Sequence, residues 1–240
     1  KQILHVEMRD EVVLFSQSTT QPKKYGILQL DGNKVVGLKE KPSNLEGLSN
    51  QRVLGMYILT QKFIDFLSTT PASDVQLEHA LDQFAKTNHI RCITSQVPSL
   101  SLKYAWDIFA IISYLFSSSS PKAQVHPSAT VHPTAVLTGQ VIIEEGAKIF
   151  PYAILEGPCY VGKHTVIGSY CKVRKESVLE DYVEIQNNVE IKHSYIGSRT
   201  HIHSGYIGDS IIGNDVRIGA GFISANRRLD RKNIHVEILG

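Results

Sequence analysis

Aliphatic residues recur at every sixth position through the second half of the chain. Twelve consecutive hits contain no aromatic or polar residue: Val125, Val131, Leu137, Ile143, Ile149, Leu155, Val161, Ile167, Val173, Leu179, Ile185 and Ile191. The position four residues after each of the first eleven hits is small or β-branched. A period of six fits neither an α-helix nor an alternating strand. It predicts a coil with three short faces, in which each hexapeptide makes one face and stacked coils share a continuous aliphatic core.

The repeat changes after Ile191. Aliphatic positions continue at steps of five and six residues, and glycine follows most of them: Ile196, Ile202, Ile207, Ile212 and Ile218. Shortened steps predict locally distorted coils. Distortion inside a strict repeat is where functional residues are expected.

The first half lacks the sixfold pattern and has the alternation of a mixed α/β domain. It predicts strands over residues 11–16, 25–30, 34–39 and 53–59 and helices over 61–67, 74–86 and 106–116. Asp31-Gly32-Asn33 is a hairpin turn between two of the strands. The predicted organisation is an α/β domain over 1–116, a serine-rich linker over 117–122 and a solenoid over 123–240.

Composition limits the classes of partner. The formal net charge of +2 and the absence of a membrane-length apolar run predict neither a nucleic-acid nor a membrane partner. Three cysteines form no CxxC pair and no even disulfide framework, so we expect a reducing, cytoplasmic setting. The chain starts at Lys1 and stops at Gly240 just after a strand-like run, so we expect it to be part of a longer protein.

Four motifs carry a family resemblance: Tyr25-Gly26, Glu40-Lys41-Pro42, Gly55-Met56-Tyr57 and Trp106-Asp107. In this order they resemble the second half of a sugar-1-phosphate nucleotidyltransferase domain. That domain followed by a left-handed β-helix is similar to the bifunctional uridyltransferase/acetyltransferase family that makes UDP-N-acetylglucosamine. The resemblance implies a partial α/β nucleotidyltransferase domain followed by an all-β left-handed parallel β-helix.

The resemblance also implies residue roles in nucleotidyl transfer. Gly26 allows close approach of the sugar, Glu40 accepts hydrogen bonds from sugar or ribose hydroxyls, and Lys41 balances phosphate charge. Gly55 and Tyr57 complete this substrate site. Asp107 would hold Mg²⁺ while a sugar 1-phosphate attacks the α-phosphate of a nucleoside triphosphate.

One family motif is missing. The chain contains no glycine-rich nucleotide-binding loop of the GxGTRL type. We therefore expect this polypeptide alone to be inactive in nucleotidyl transfer. Either an N-terminal segment supplies the loop, or the half-domain is a remnant.

In the solenoid the resemblance implies an acetyl-CoA-dependent acetyltransferase site. His203 would be the general base that takes a proton from a sugar amine. Arg174 and Lys192 would hold the sugar phosphate. Three further residues complete the expected pocket: Glu190, Tyr206 and Asn226.

The sequence around this expected site departs from the family pattern and leaves alternatives open. Ser204-Gly205 follows His203 where leucine is usual, Arg217 replaces an asparagine, and Arg227-Arg228 follow Asn226. These extra cations favour a more acidic sugar or another acceptor. Such acyltransferases form trimers, so the resemblance implies a homotrimer. The alternatives are a nucleotidyltransferase whose β-helix serves only oligomerisation or regulation, and a non-catalytic assembly module.

Overall fold

The computed structural model describes residues 10–97, 99–118, 122–224, 227–232 and 234 of the chain. It divides into two compact units, residues 1–99 and 100–240. In the described part, no helix is long and apolar enough to cross a membrane.

The first unit is a small α/β structure. Its strands are β1 (Val12–Ser18), β2 (Gly26–Asp31), β3 (Lys34–Glu40), β4 (Gln51–Ile58) and β5 (Ile90–Thr94), and its helices are α1 (Gln61–Thr69) and α2 (Gln76–Ala85). The strands close into a barrel in the order β1-β4-β2-β3-β5, with β5 parallel to β1. A short 3₁₀ helix, Pro22–Lys24, precedes β2.

The core of this unit lies between the barrel and one side of its helices. Leu14, Leu28, Phe63 and Leu81 are almost completely buried. Phe63 meets Phe84 edge to face at 5.1 Å. The predicted hairpin between β2 and β3 is confirmed. The strand predicted over 53–59 looked buried from its sequence, but β4 is only partly buried because it bulges opposite β1.

The second unit begins with helix α3 (Asp107–Ser118) and continues as a solenoid of three parallel six-stranded sheets. The first sheet contains β6 (Gln124–Val125), β9 (Val141–Ile143), β12 (Cys159–Val161), β15 (Ser177–Leu179), β18 (Tyr195–Ile196) and β21 (Ile211–Ile212). The second contains β7 (Thr130–Val131), β10 (Lys148–Ile149), β13 (Val166–Ile167), β16 (Glu184–Ile185), β19 (His201–Ile202) and β22 (Arg217–Ile218). The third contains β8 (Val136–Thr138), β11 (Ile154–Glu156), β14 (Lys172–Val173), β17 (Val189–Lys192), β20 (Gly205–Gly208) and β23 (Phe222–Ile223).

This architecture confirms the predicted hexapeptide β-helix. From Ile143 to Ile191 every aliphatic residue of the sixfold series is at most 2% exposed, so the series forms the inner core. Val125 is 44% exposed, because it lies on the first strand of its sheet and has a neighbouring coil on one side only.

The predicted distortion after Ile191 is also present. Earlier coils pair residues 18 apart, as in Ile154 with Lys172, whereas Glu190 pairs with Tyr206 after only 16 residues. Ile196, Ile202 and Ile207 remain buried despite the shorter coil. The shortening is therefore absorbed at the corners, which changes the side chains that the corners present.

Helix α3 packs against the first sheet of the solenoid. Ile108, Ile112 and Leu115 of the helix line a cavity together with Tyr160 and Tyr195 of the coils. The sequence assigned this helix to the α/β domain, whereas the compact unit that contains it begins at Leu100. The physical reason is that α3 places its buried residue, Ile112, on the side that faces the coils. The predicted linker, 117–122, includes residues outside the described part.

Candidate functional site

The third sheet of the solenoid carries a charged stripe on its outer surface. Glu156, Arg174 and Lys192 follow one another at intervals of 18 residues, which is one coil, so they lie above one another. Arg174 Nη1 donates a 3.0 Å hydrogen bond to Glu190 Oε1, and Arg174 Nε lies 4.0 Å from Glu156 Oε2. Lys172 pairs with the other oxygen of Glu156 at 2.9 Å. Each carboxylate thus orients cations of neighbouring coils.

Asp209 anchors the next part of the stripe. Its Oδ2 lies 3.0 Å from Lys192 Nζ, and its Oδ1 lies 2.8 Å from His193 Nδ1. The other ring nitrogen of His193, Nε2, lies 3.8 Å from Glu176 Oε2. With Arg174, these residues line a cavity of about 710 Å³. The cavity presents cations, carboxylates and an imidazole to one small volume.

Helix α3 supports this cavity from one side. The ring of Phe109 stacks on the His193 imidazole with centroids 4.6 Å apart, and Ser113 Oγ donates a 2.6 Å hydrogen bond to Glu176 Oε1. Both contacts hold side chains that also face the cavity, so α3 limits their rotamers.

A second groove, of about 390 Å³, lies on the same sheet near its opposite edge. Its lining includes Glu190, Tyr206, Lys172 and Tyr170. Glu190 and Tyr206 are partners in the β17–β20 register, which places their side chains on one face. Two of the predicted substrate residues are therefore neighbours in this groove, while Arg174 and Lys192 line the other cavity.

His203 follows β19 at the corner that leads into β20. Its side chain is exposed, and its backbone N–H donates to Ile218 O at 3.0 Å. Within the described ranges, no side chain forms a hydrogen bond with its imidazole. Its neighbour His201 is held by Glu184 through a 2.8 Å contact at Nδ1. Asn226 lies outside the described residues.

Sequence reasoning missed the three carboxylates of the larger cavity: Glu156, Glu176 and Asp209. The described residues contain no group of three or more His, Cys, Asp or Glu suited to a metal ion. The 18-residue spacing of Glu156, Arg174 and Lys192 was a usable signal. The positions of Glu176 and Asp209 depend on corner geometry, which the spacing does not show.

In the first unit, Gly26 and Glu40 are opposite each other on β2 and β3. A Cβ added to Gly26 would lie 2.8 Å from Glu40 Oε2, so the glycine leaves room for this carboxylate. Lys41 follows in a left-handed conformation with φ 42°, and its N–H donates to Tyr25 O at 3.1 Å. The structure thus brings together three of the predicted residues.

Glu40 and Lys41 line a cavity of about 700 Å³ between β3 and α2. The helix contributes Glu78, His79 and Asp82 to its wall. Asp82 Oδ1 accepts a 3.0 Å hydrogen bond from the backbone N–H of Leu38, which ties the helix to the strand. The cavity has the size of a small-ligand site.

Gly55 and Tyr57 belong to β4. Gly55 has φ 69° and lies in the bulge opposite β1. This backbone conformation alone accounts for a glycine at the position, and no bound ligand is needed to explain it. Burial raises the pKa of the Tyr57 hydroxyl above its usual value, and the negative charges of Glu78 and Glu40 raise it further. Tyr57 is therefore a neutral hydrogen-bonding group near Glu40.

Asp107 begins helix α3. Its Oδ2 accepts hydrogen bonds of 2.8 Å from the backbone N–H groups of both Lys103 and Tyr104. This carboxylate ties the preceding turn to the helix. A magnesium ion here would need most of its ligands from water and substrate phosphates.

Two protein families match the chain. Residues 3–95 match the family described as nucleotidyl transferase, and residues 140–175 match bacterial transferase hexapeptide (six repeats). The predicted pairing of a nucleotidyltransferase region with hexapeptide repeats is confirmed.

Two curated relatives resemble this chain over most of its length. The chain is 31% identical over 224 residues to Bifunctional protein GlmU of Methanococcus aeolicus, an alignment that covers 90% of this chain and 53% of the relative. It is 30% identical over 250 residues to Bifunctional sugar-1-phosphate nucleotidylyltransferase/acetyltransferase of Sulfurisphaera tokodaii, covering 100% of this chain and 60% of the relative. The chain therefore spans little more than half the length of these relatives.

A solved structure with a similar chain path is the acetyltransferase domain of PglB from Neisseria gonorrhoeae. It is 16% identical with a TM-score of 0.44, and the alignment covers 56% of this chain and 64% of that domain.

Proposed function

We propose that this chain, a nucleotidyl transferase region joined to hexapeptide repeats, is part of a nucleotide-sugar biosynthesis enzyme that acetylates a sugar amine on its β-helix. The observation that carries the proposal is the arrangement of Arg174, Lys192, Glu190 and Tyr206 on the outer surface of one sheet, with His203 at its corner. The relative from Sulfurisphaera tokodaii, a bifunctional nucleotidylyltransferase/acetyltransferase, supports the acetyltransferase activity. The co-substrate is acetyl-CoA and the acceptor is a sugar 1-phosphate.

The reaction follows from these groups. The sugar amine attacks the thioester carbonyl carbon, a C–N bond forms, and the C–S bond breaks to release the thiolate of CoA. His203 accepts the proton that the amine loses and returns it to the thiolate. The exposure of His203 lets both substrates reach it. Arg174 and Lys192 hold the phosphate, and the carboxylates that pair with them fix their positions.

The first unit contributes sugar and nucleotide contacts of a nucleotidyltransferase that uses a nucleoside triphosphate. Glu40 accepts hydrogen bonds from hydroxyl groups, Lys41 balances phosphate charge, and Tyr57 donates a hydrogen bond. Gly26 and Gly55 provide the backbone room. Mg²⁺ enters the proposal only through the family resemblance: Asp107, which begins α3 in the second unit, would be its protein ligand, and the ion would neutralise phosphate charge.

The proposal also includes an oligomeric state and a cellular location. We expect a homotrimer, which is the arrangement implied by the family resemblance, and a cytoplasmic location, because Cys92, Cys159 and Cys171 are all free and buried. A second candidate function is a β-helix that serves only assembly or regulation. It is favoured by His203, whose imidazole has no hydrogen-bonding side chain among the described residues to orient it.

The test is thiol release from acetyl-CoA with glucosamine 1-phosphate, measured on this chain and on any longer parent. His203→Ala should lower kcat by roughly 10²- to 10⁴-fold, the usual contribution of a general base. The matched control is His201→Ala, two residues away and paired with Glu184, which should keep wild-type activity. If a folded, trimeric parent releases no thiol, the proposed acetyl transfer fails and the assembly or regulatory function remains.

A further inference from the structure

His193 occupies an unusual position in the larger cavity. Its Nδ1 lies 2.8 Å from Asp209 Oδ1 and its Nε2 lies 3.8 Å from Glu176 Oε2, while one ring face stacks on Phe109 at 4.6 Å. In the protonated imidazole both nitrogens are donors, and here each faces a carboxylate oxygen. The ring is therefore held between two carboxylates and an aromatic ring.

The charge of this ring decides the charge of the cavity. The lining has three permanent cations, Arg174, Lys175 and Lys192, and three carboxylates, Glu156, Glu176 and Asp209. These charges cancel. A protonated His193 gives the lining a net charge of +1, and a neutral His193 leaves it at zero.

The paired charges of the lining affect how an anion can bind. Arg174 and Lys192 already pair with Glu190 and Asp209 at 3.0 Å, so an incoming anion must compete with these carboxylates for them. An additional positive charge on His193 offsets that competition, because at contact distance in a partly enclosed site a unit charge acts strongly. A neutral ligand gains nothing from it.

We propose that His193 is a specificity-determining residue of this cavity: it selects acceptors that carry a phosphate or similarly acidic group over neutral sugars. This inference rests on the proposed acetyl transfer only for the identity of the acceptor. The binding of an anion at His193 stands on the charges and contacts of the cavity.

The experiment is calorimetric titration of the full chain at about pH 6, where an ordinary histidine is largely protonated. The probes are inorganic phosphate, glucosamine 1-phosphate and the neutral sugar N-acetylglucosamine. The variants are His193→Gln, which removes the charge, and His193→Lys, which keeps it. The matched control is His164→Gln, since His164 also stacks on an aromatic ring, Tyr182 at 5.0 Å, but lies on a different corner of the coils.

We expect His193→Gln to weaken binding of inorganic phosphate and glucosamine 1-phosphate by about tenfold, the usual effect of losing one charged contact. His193→Lys should stay within about threefold of the wild type, and His164→Gln should be unchanged. The affinity for the neutral sugar N-acetylglucosamine should be the same in all four proteins. Unfolding curves on each variant show that the loss is not a folding defect.

Three results would overturn the inference: no measurable phosphate binding by the wild type, equal phosphate binding by His193→Gln, or an equal loss of affinity for N-acetylglucosamine and glucosamine 1-phosphate. The last outcome would indicate a structural role for His193. If phosphate binding depends on His193 while the longer parent releases no CoA thiol, the inference holds and the proposed acetyl transfer fails.

Discussion

The guanidinium of Arg174 donates a 3.0 Å hydrogen bond to the carboxylate of Glu190, one coil further along the solenoid. Both side chains are about two-fifths exposed. At that exposure an ion pair contributes roughly 0–1 kcal/mol to folding. Its main effect is therefore to orient the cation that the proposed site uses for phosphate.

Glu190→Gln tests this orienting role. It should raise KM for glucosamine 1-phosphate by about 3- to 10-fold, because a misplaced Arg174 binds phosphate less well. Its midpoint of thermal unfolding should change little. Steady-state kinetics and a melting curve measure the two effects. Glu184→Gln, which removes the carboxylate paired with His201, is the control and should change neither. An unchanged KM in Glu190→Gln would argue against the role.

Two adjacent residues of β11 test the inward ladder. Leu155 is 0% exposed in the core, whereas Ile154 is 37% exposed on the outer surface. Leu155→Ala should lower the free energy of unfolding by about 2–5 kcal/mol, through lost burial and a cavity. Ile154→Ala should cost less than about 1 kcal/mol. Urea denaturation compares them, and equal losses would contradict the inward series.

Gly205 lies between His203 and Tyr206 with φ 131°. A Cβ there would collide with the carbonyl oxygen of Phe222 on the neighbouring coil. Gly205→Ala should destabilise the chain by about 1–3 kcal/mol and also lower acetyl transfer, because the corner that presents His203 must shift. Gly213→Ala is the control, since a Cβ at Gly213 meets nothing within 4 Å. Differential scanning calorimetry and the thiol assay should separate the two variants.

The buried thiol of Cys159 predicts alkaline instability. Burial raises the pKa of this thiol from 9.0 to about 12. The unfolded thiol loses its proton first as pH rises, so the folding stability that is present below about pH 9 is lost progressively toward about pH 12. Burial also raises the pKa of Tyr160 to about 12, so this hydroxyl acts in the same direction.

The measurement is the urea midpoint between neutral and strongly alkaline pH. At neutral pH the urea midpoint of Cys159→Ala should be lower than that of the wild type, because the variant loses packing. Between about pH 9 and pH 12 its midpoint should fall less steeply than that of the wild type. Tyr160→Phe should remove a further part of the slope. Identical slopes in the wild type and Cys159→Ala would show that the thiol does not contribute. Native Cys159 should also resist alkylation until the protein unfolds.

Much of the fold could be read from local pattern. The sixfold series identifies the inward residues of the solenoid, because one coil of three hexapeptides returns each side chain to the same place. The Asp31-Gly32-Asn33 turn identifies the β2–β3 hairpin for a similarly local reason. Strand β5 was missed, since Ile90–Thr94 is a short run directly after a helix and pairs with β1, far away in the sequence.

The site was less accessible to sequence reasoning. Family resemblance pointed to Arg174, Lys192 and His203, but it could not show that Glu190 pairs with Arg174 or that the larger cavity includes His193 and Glu176. Those relations join side chains on different coils and on α3. They depend on three-dimensional stacking more than on residue type.

Local sequence is enough to predict the solenoid, its inner ladder and the coil where the repeat shortens, because a period of six records one backbone geometry at every turn. Which outer side chains meet depends instead on three-dimensional packing. The corner residues Tyr170, Glu176 and Asn188 adopt positive φ values that nothing in their residue types requires, and these corners aim the side chains. The charge balance of the cavity around His193 is therefore a property of coil stacking and helix packing, where distances of 3 to 4 Å decide which groups interact.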